Sequence, residues 1–234
     1  MRRAARRLGR LERDAGLLAL LGIVCFAVAG ASAAPAPARF QLSVTGTARQ
    51  GWDHTGGPTF EGECQRSLRS VGTRTVRFHT SQPAVVRIAD ARIFPAEVRR
   101  VVGTVTLTGP NTVNEVCGGT ESHTVQPCAK STRSFAGGTV SLYSTRPGSI
   151  TLRPVRNVTL RRINCPREPD EVVASPFGPV PRPLRVSPAL VGNQRITRIT
   201  LTASASRRKT YGQPEAGNLH ESASWTLTFT RLQP

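Results

Sequence analysis

The sequence predicts an all-β protein: an antiparallel β-sandwich of about nine strands, with a β-barrel as the alternative, preceded by an N-terminal hydrophobic signal helix. Three observations carry this. Apolar and polar residues alternate with a period of two in stretch after stretch, which is the pattern of a half-buried strand. No capped amphipathic helix of ordinary length follows the first apolar run. Val and Thr dominate the alternating stretches, as β-branched residues do on a pleated surface.

The chain opens with six Arg against Glu12 and Asp14, then runs through the uncharged segment Leu17 to Gly30 and the small residues Ala31-Ser32-Ala33. That order of charge, apolar core and small residues is the signature of an export signal, with cleavage expected after Ala33. The alternative is an uncleaved anchor from Leu17 to Ala34, which just reaches the length of a spanning helix. Residues 34–234 are then one β domain in an oxidising compartment, either secreted or held at the membrane.

Phe40, Leu42, Val44, Gly46 and Ala48 alternate with Gln41, Ser43, Thr45, Thr47 and Arg49, giving the first strand. Val76 and Phe78 oppose Arg77 and His79, and Ser81-Gln82-Pro83 turns the chain into Val86 and Ile88, which reads as a hairpin. Val101 to Thr108 alternates again, whereas Ala96 to Val102 admits a helical turn. Residues 109–137 lack a pattern and read as a cross-linked loop with one short strand. Thr139 to Tyr143 and Ile150 to Leu152 flank Arg146-Pro147-Gly148-Ser149, a type II turn with Pro and Gly at its two central positions. Val158 and Leu160 suggest one more strand. Seven prolines between Pro166 and Pro188 exclude both a helix and a central strand and imply an extended crossing loop. Arg195 to Ala205 and Ser222 to Leu232 close the domain, with Ala223, Trp225, Leu227 and Phe229 facing inward.

Cys64, Cys117, Cys128 and Cys165 remain once Cys25 is assigned to the leader, an even number consistent with two disulfides. Three connectivities are open, and the preferred one joins Cys117 to Cys128 and Cys64 to Cys165. No two cysteines have the close spacing of zinc ligands, so neither a metal nor a cofactor is expected.

No catalytic motif is present: there is no Gly-x-Ser-x-Gly elbow, Walker loop, dinucleotide fingerprint or His-Glu-x-x-His. The positive signal is charge. The chain carries 32 Lys plus Arg against 14 Asp plus Glu, and only Lys130 and Lys209 are lysines. Guanidinium forks suit phosphate and carboxylate. Arg207-Arg208-Lys209, at the tip of a loop, and Arg161-Arg162 are the candidate anion-binding residues, with Arg99-Arg100 a further cluster. Arg49, Arg77, Arg87 and Arg161 stand on outward strand positions, where a shared sheet face would make a basic stripe. Strand aromatics such as Phe78, Trp225 and Phe229 fall on core positions, which argues against stacking and sequence-specific nucleic-acid recognition.

The expected function is that of an exported, non-catalytic β module binding anionic envelope polymers or lipid head groups. Two alternatives stand: a carrier of a small apolar ligand, and an unrecognised extracellular hydrolase using groups such as Asp53-His54 or Glu61 and Glu63.

Overall fold

The computed structural model describes residues 37–94, 96–154 and 166–233. Its fold is all-β with antiparallel pairing throughout. In chain order the strands are β1 (Ala38–Thr55), β2 (Thr59–Glu61), β3 (Cys64–Thr80), β4 (Ala84–Ala89), β5 (Arg92–Ile93), β6 (Ala96–Arg99), β7 (Val101–Thr108) and β8 (Asn111–Cys117). They continue with β9 (Thr120–Gln126), β10 (Ser131–Ala136), β11 (Thr139–Tyr143) and β12 (Ser149–Pro154), a one-turn helix α1 (Asp170–Ala174), and β13 (Leu184–Arg185). A second short helix α2 (Pro188–Gly192) precedes β14 (Arg198–Tyr211) and β15 (Ala216–Arg231). No helix among the described residues is long and apolar enough to cross a membrane. The leader and the Val158–Leu160 strand predicted from sequence lie outside the described residues.

A large sheet has the spine β10-β7-β3-β1-β15-β14, and a small sheet has the order β13-β12-β11-β6. β1 is central. It pairs with β15 from Phe40↔Arg231 to Thr55↔Ala216, and on its other side with β4 over Ala38 to Leu42 and with β3 over Thr45 to Thr55. The predicted hairpin between Val76–Phe78 and Val86–Ile88 is therefore not formed: β3 and β4 are both antiparallel to β1 and follow one another along its same edge, so Ser81-Gln82-Pro83 interrupts the ladder as a bulge and does not reverse the chain. At that junction the Val44 N–H would lack a ladder partner. It donates to the Thr80 hydroxyl at 3.1 Å, since a buried N–H left unpaired is costly.

The inward residues of both sheets form one core that includes Phe40, Leu42, Val44, Val76, Phe78, Val98, Val140, Leu142, Ile150, Leu152, Trp225, Leu227 and Phe229. Phe78 meets Trp225 edge to face at 4.6 Å and Phe177 at 5.0 Å, separations at which aromatic quadrupoles attract. Phe177 comes from the proline-rich crossing segment, which thus supplies core as well as connection.

Three elements differ from the sequence expectation. Residues 109–137 form β8, β9 and β10. Their signal was the turn Gly118-Gly119, both with positive φ, as a two-residue hairpin of type I′ requires; β9 shows no alternation because every residue of it is exposed. Ala96 to Arg99 is a strand, separated from β7 by Arg100 at φ 58°. The crossing segment holds α1 and β13, so it is extended only in part; the expected exclusion of a helix fails because Asp170 to Ser175 is free of proline and Pro169 stands at the N-cap, where a missing N–H costs nothing.

Cys64 is bonded to Cys117, which lies directly opposite it across β3 and β8 with Cα atoms 4.2 Å apart. This replaces both preferred pairings. The β8–β9 hairpin sets Asn111 opposite Gln126 and so carries Cys128 to the far end of β8, roughly 20 Å from Cys117 at a strand's rise per residue. Cys128 is itself in a disulfide.

Gly46 faces the core between Phe78 and Trp225 on the neighbouring strands. A Cβ there would fall 2.3 Å from Phe78 Cζ and 2.7 Å from the Ser224 carbonyl oxygen. Gly46→Ala is expected to destabilise the fold by about 1–3 kcal/mol through overpacking. Thermal denaturation checks this, and in the Phe78→Leu background, where the ring is gone, the penalty should shrink.

Candidate anion-binding face

The inward face of the large sheet changes character along its length. Beyond Ala48 the inward residues of β1 are Gln50 and Trp52, and their neighbours are Arg74 on β3, Glu221 on β15, and Arg207, Lys209 and Tyr211 on β14. This polar end is covered by residues 166–175, where two prolines and α1 bring Glu168 and Glu171 against the sheet. Arg74, 3% exposed, pairs with Glu168 at 2.8 Å and donates to the Val172 carbonyl. Glu221 is fully buried at its side chain, accepts from Gln50 Nε2 at 2.8 Å, and pairs with Arg207. Gln50 also donates to the Ser175 carbonyl. Lys209 and the Tyr211 hydroxyl both donate to Glu171.

Burial works against the Glu171 charge, but the Lys209 ammonium, the residue's own backbone N–H and the Tyr211 hydroxyl outweigh it, and the carboxyl is held down at about 2. Burial, then the Glu171 carboxylate, push the Tyr211 phenol up. Burial lowers the Arg74 guanidinium, against the opposing pull of Glu168.

The sequence cluster Arg207-Arg208-Lys209 is thus divided. It lies within β14, not at a loop tip, because β14 and β15 continue their ladder as far as Tyr211↔Gly217. Arg207 and Lys209 point inward to carboxylates, and Arg208 points to the opposite, open face. Arg161 and Arg162 lie outside the described residues. Arg100, from the remaining cluster, is exposed and donates to Gln82.

The register shows what shares the open face with Arg208. Arg49 stands beside Thr75 and Ser222, Arg77 beside Thr47 and Thr104, and Arg208 beside His220, which in turn faces Gly51. At the other end Arg39 is directly opposite Arg87, and Arg198 is beside Thr230. All six arginines are exposed. Between them run Ser43, Thr45, Thr47, Thr200, Thr202, Ser204, Ser206, Ser222, Ser224, Thr226 and Thr228. Among the described residues at outward positions from Arg39 to Gly51, and at the positions paired with them across the sheet, none is acidic. The face is about 40 Å long at a strand's rise per residue. An open depression of about 610 Å³ lies where Arg49, Arg77, Arg208 and His220 converge. Of these arginines, Arg49, Arg77 and Arg87 were legible from alternation; Arg39 and Arg198 were not, because each begins its strand before the alternation is established.

Of the groups considered for hydrolysis, Asp53 has a cationic partner. Asp53 forms a two-pronged pair with Arg69, which lowers its carboxyl below the ordinary range through that hydrogen bond. Glu115 stands beside Cys64 and Cys117, but those sulfurs are bonded to each other and are not thiolate ligands.

No protein-family model matches the chain, and no curated protein matches it. One solved structure, that of Ail, the attachment invasion locus protein of Yersinia pestis, aligns over 83% of this chain and 97% of its own at 6% identity and a TM-score of 0.14. At that score the likeness carries no argument about fold or function.

Ionised Glu171 is favoured by the folded state, because its carboxyl is held below its unfolded value. Its contribution is full above pH about 4.5 and is lost as pH falls from there toward 2. Glu171→Gln is therefore expected to lower the melting temperature near neutral pH, and the gap from the wild type should close in that acid window. Melting curves over a pH series measure it; a gap independent of pH would contradict the assignment.

Proposed function

We propose that this protein is an exported, non-catalytic β-sandwich module that binds a linear, phosphate-rich polymer of the cell envelope on the open face of its large sheet. The observation that carries the reading is the gathering of Arg39, Arg49, Arg77, Arg87, Arg198 and Arg208 on one exposed, hydroxyl-lined face without a carboxylate, while Arg74, Arg207 and Lys209 are paired with acids on the inward side. A face so charged attracts a polyanion over a Debye length and binds it with release of its counterions. Guanidinium forks bind phosphate oxygens two at a time, and Ser and Thr hydroxyls add uncharged donors between them.

Export is supported by the order of the leader, residues 1–33, and by the Cys64–Cys117 disulfide, since such bridges persist in oxidising compartments. A single domain over residues 34–234 agrees with the continuity of the core. The sandwich is preferred to a closed barrel because inward residues of two separate sheets share one core. The same filling weighs against the carrier of an apolar ligand: the ground between the sheets is taken by Phe78, Phe177 and Trp225, ring against ring.

The test is titration of the purified protein with a poly(glycerol phosphate), with uncharged dextran and anionic vesicles beside it, across a salt series. Affinity for the phosphate polymer is expected to fall steeply with salt, and dextran should not bind. The triple variant Arg49→Ser, Arg77→Ser, Arg208→Ser should weaken binding by about tenfold or more and lower the salt slope by roughly 2. A control pair on the small sheet, Arg146→Ser and Arg153→Ser, should leave both nearly unchanged. Absence of binding at low salt, or equal loss in both variants, would sink the reading. Vesicle binding that exceeds polymer binding would move it to a membrane surface.

A further inference from the structure

β14 is the last strand of the large sheet's spine, and its only ladder partner is β15. Its other edge is open among the described residues. No backbone hydrogen bond reaches it from Arg198 to Tyr211 beyond the β15 ladder. An edge of this length is normally blunted by a charge, a proline or a bulge, because unpaired N–H and C=O groups template further strands. β14 has none of these from Ile199 to Ser206, ITLTASAS. That run is uncharged, free of proline and composed of small or β-branched residues, apart from Leu201.

Beside the edge runs the crossing segment. Pro179, Val180, Pro181, Arg182, Pro183, Leu184 and Arg185 form one wall of a groove of about 760 Å³, and Thr200 to Arg207 form the other. Prolines at alternate positions remove every donor from one edge of an extended segment, since N–H groups of like parity point the same way. The crossing segment can therefore stand alongside β14 without zipping onto it. The groove is kept open by covalent chemistry, not by chance.

We propose that the free edge of β14 from Ile199 to Ser206 is a strand-addition site for an extended segment of another protein, uncharged at its centre and acidic at both ends. The ends follow from charge. Arg198 lies at one end of the run and Arg208 at the other, and Arg182 and Arg185 stand exposed on the wall opposite. Main-chain hydrogen bonds along β14 supply affinity, and the flanking guanidinium groups set which strands are accepted. A second copy of this chain fits worse. Antiparallel self-pairing centred on Ala203 would set Arg198 of each copy opposite Arg208 of the other, both on the outward face, and like charges directly opposed destabilise a pair.

The test uses the whole protein and a blocked peptide of alternating Val and Thr with two Asp at each end. Binding is expected, with amide-exchange protection rising along Ile199 to Ser206 and not along β1, β3 or β4. Two further peptides carry backbone N-methyl groups on alternate residues, one set on each edge. One should lose about tenfold or more in affinity and the other should bind nearly as well as the parent, because a strand addition uses only one edge. A Lys-flanked peptide should bind at least about tenfold more weakly, and Arg182→Ser with Arg185→Ser should weaken the Asp-flanked one. Equal effects of the two methylation patterns, equal affinity for the Lys-flanked peptide, or no binding would overturn the proposal. So would a dimer, seen without peptide, that already protects Ile199 to Ser206, since the edge would then belong to a second copy.

Discussion

The register of β1 against β15 is the constraint from which the rest of the molecule follows. Sixteen consecutive residues, Phe40 to Thr55, are fixed opposite Arg231 to Ala216, and a slip of one residue would exchange the two faces along the whole sheet. Phe40, Leu42 and Val44 would then meet water while Arg39 and Arg49 entered the core. Loss of apolar burial and burial of unpaired charge act together against that slip. β3, β4 and β14 inherit the choice of face through their own ladders. The open face is basic because the opposite face is filled by apolar side chains and by cations already paired with acids.

That division decides what the excess charge can do. Three basic side chains on the inward face have carboxylate partners: Arg74 with Glu168, Arg207 with Glu221, and Lys209 with Glu171. Two of those carboxylates come from the short run between Pro166 and Ala174. The crossing segment therefore brings negative charge to the end of the sheet where Arg74 and Lys209 face inward beside a second apolar cluster of Trp52, Leu107, Val172, Tyr211 and Leu219, and it neutralises Arg74, which would otherwise be buried alone. The arginines of the open face receive no such partner from the described residues. Their interaction with an anion is left to the surroundings.

How much of this was legible in the sequence depended on whether a residue's periodicity reported its environment. β15 shows Ala223, Trp225, Leu227 and Phe229 inward, and β11 with β12 shows Val140, Leu142, Ile150 and Leu152 inward, as alternation predicted. The turn at Arg146 to Ser149 formed as Pro147 and Gly148 implied, with the Ser149 N–H on the Arg146 carbonyl. β9 was not legible because a strand solvated on both faces leaves no hydrophobic period. The β3–β4 relation was not legible either, since Ser81-Gln82-Pro83 carries the residues of a turn and yet the chain does not reverse there: β3 and β4 run in line along the same edge of β1. Arg207-Arg208-Lys209 looked like one cluster because charge was counted along the chain; in a strand, neighbours in sequence are on opposite faces. The disulfide pairing failed for a related reason: Cys117 and Cys128 are near in sequence but stand at opposite ends of a hairpin, whereas Cys64 and Cys117 are opposed in register.

The same geometry explains why the open face stays open. Covering six guanidinium groups with a second apolar layer would cost several kcal/mol for each ion left unpaired, far more than the burial of Thr and Ser methyl and methylene groups could return. The small sheet therefore packs on the inward side only. β-branched threonines meanwhile satisfy strand propensity on the open side without requiring burial. A consequence is that fold and recognition draw on different arginines. Arg74 and Arg207 hold buried carboxylates, and their removal would leave those charges uncompensated inside the protein. Arg49, Arg77 and Arg208 hold nothing that the sheet needs, and removing them relieves mutual repulsion. Among the described residues the fold gives the arginines of the open face no carboxylate partner, and under the reading proposed above it is the polyanion that supplies one.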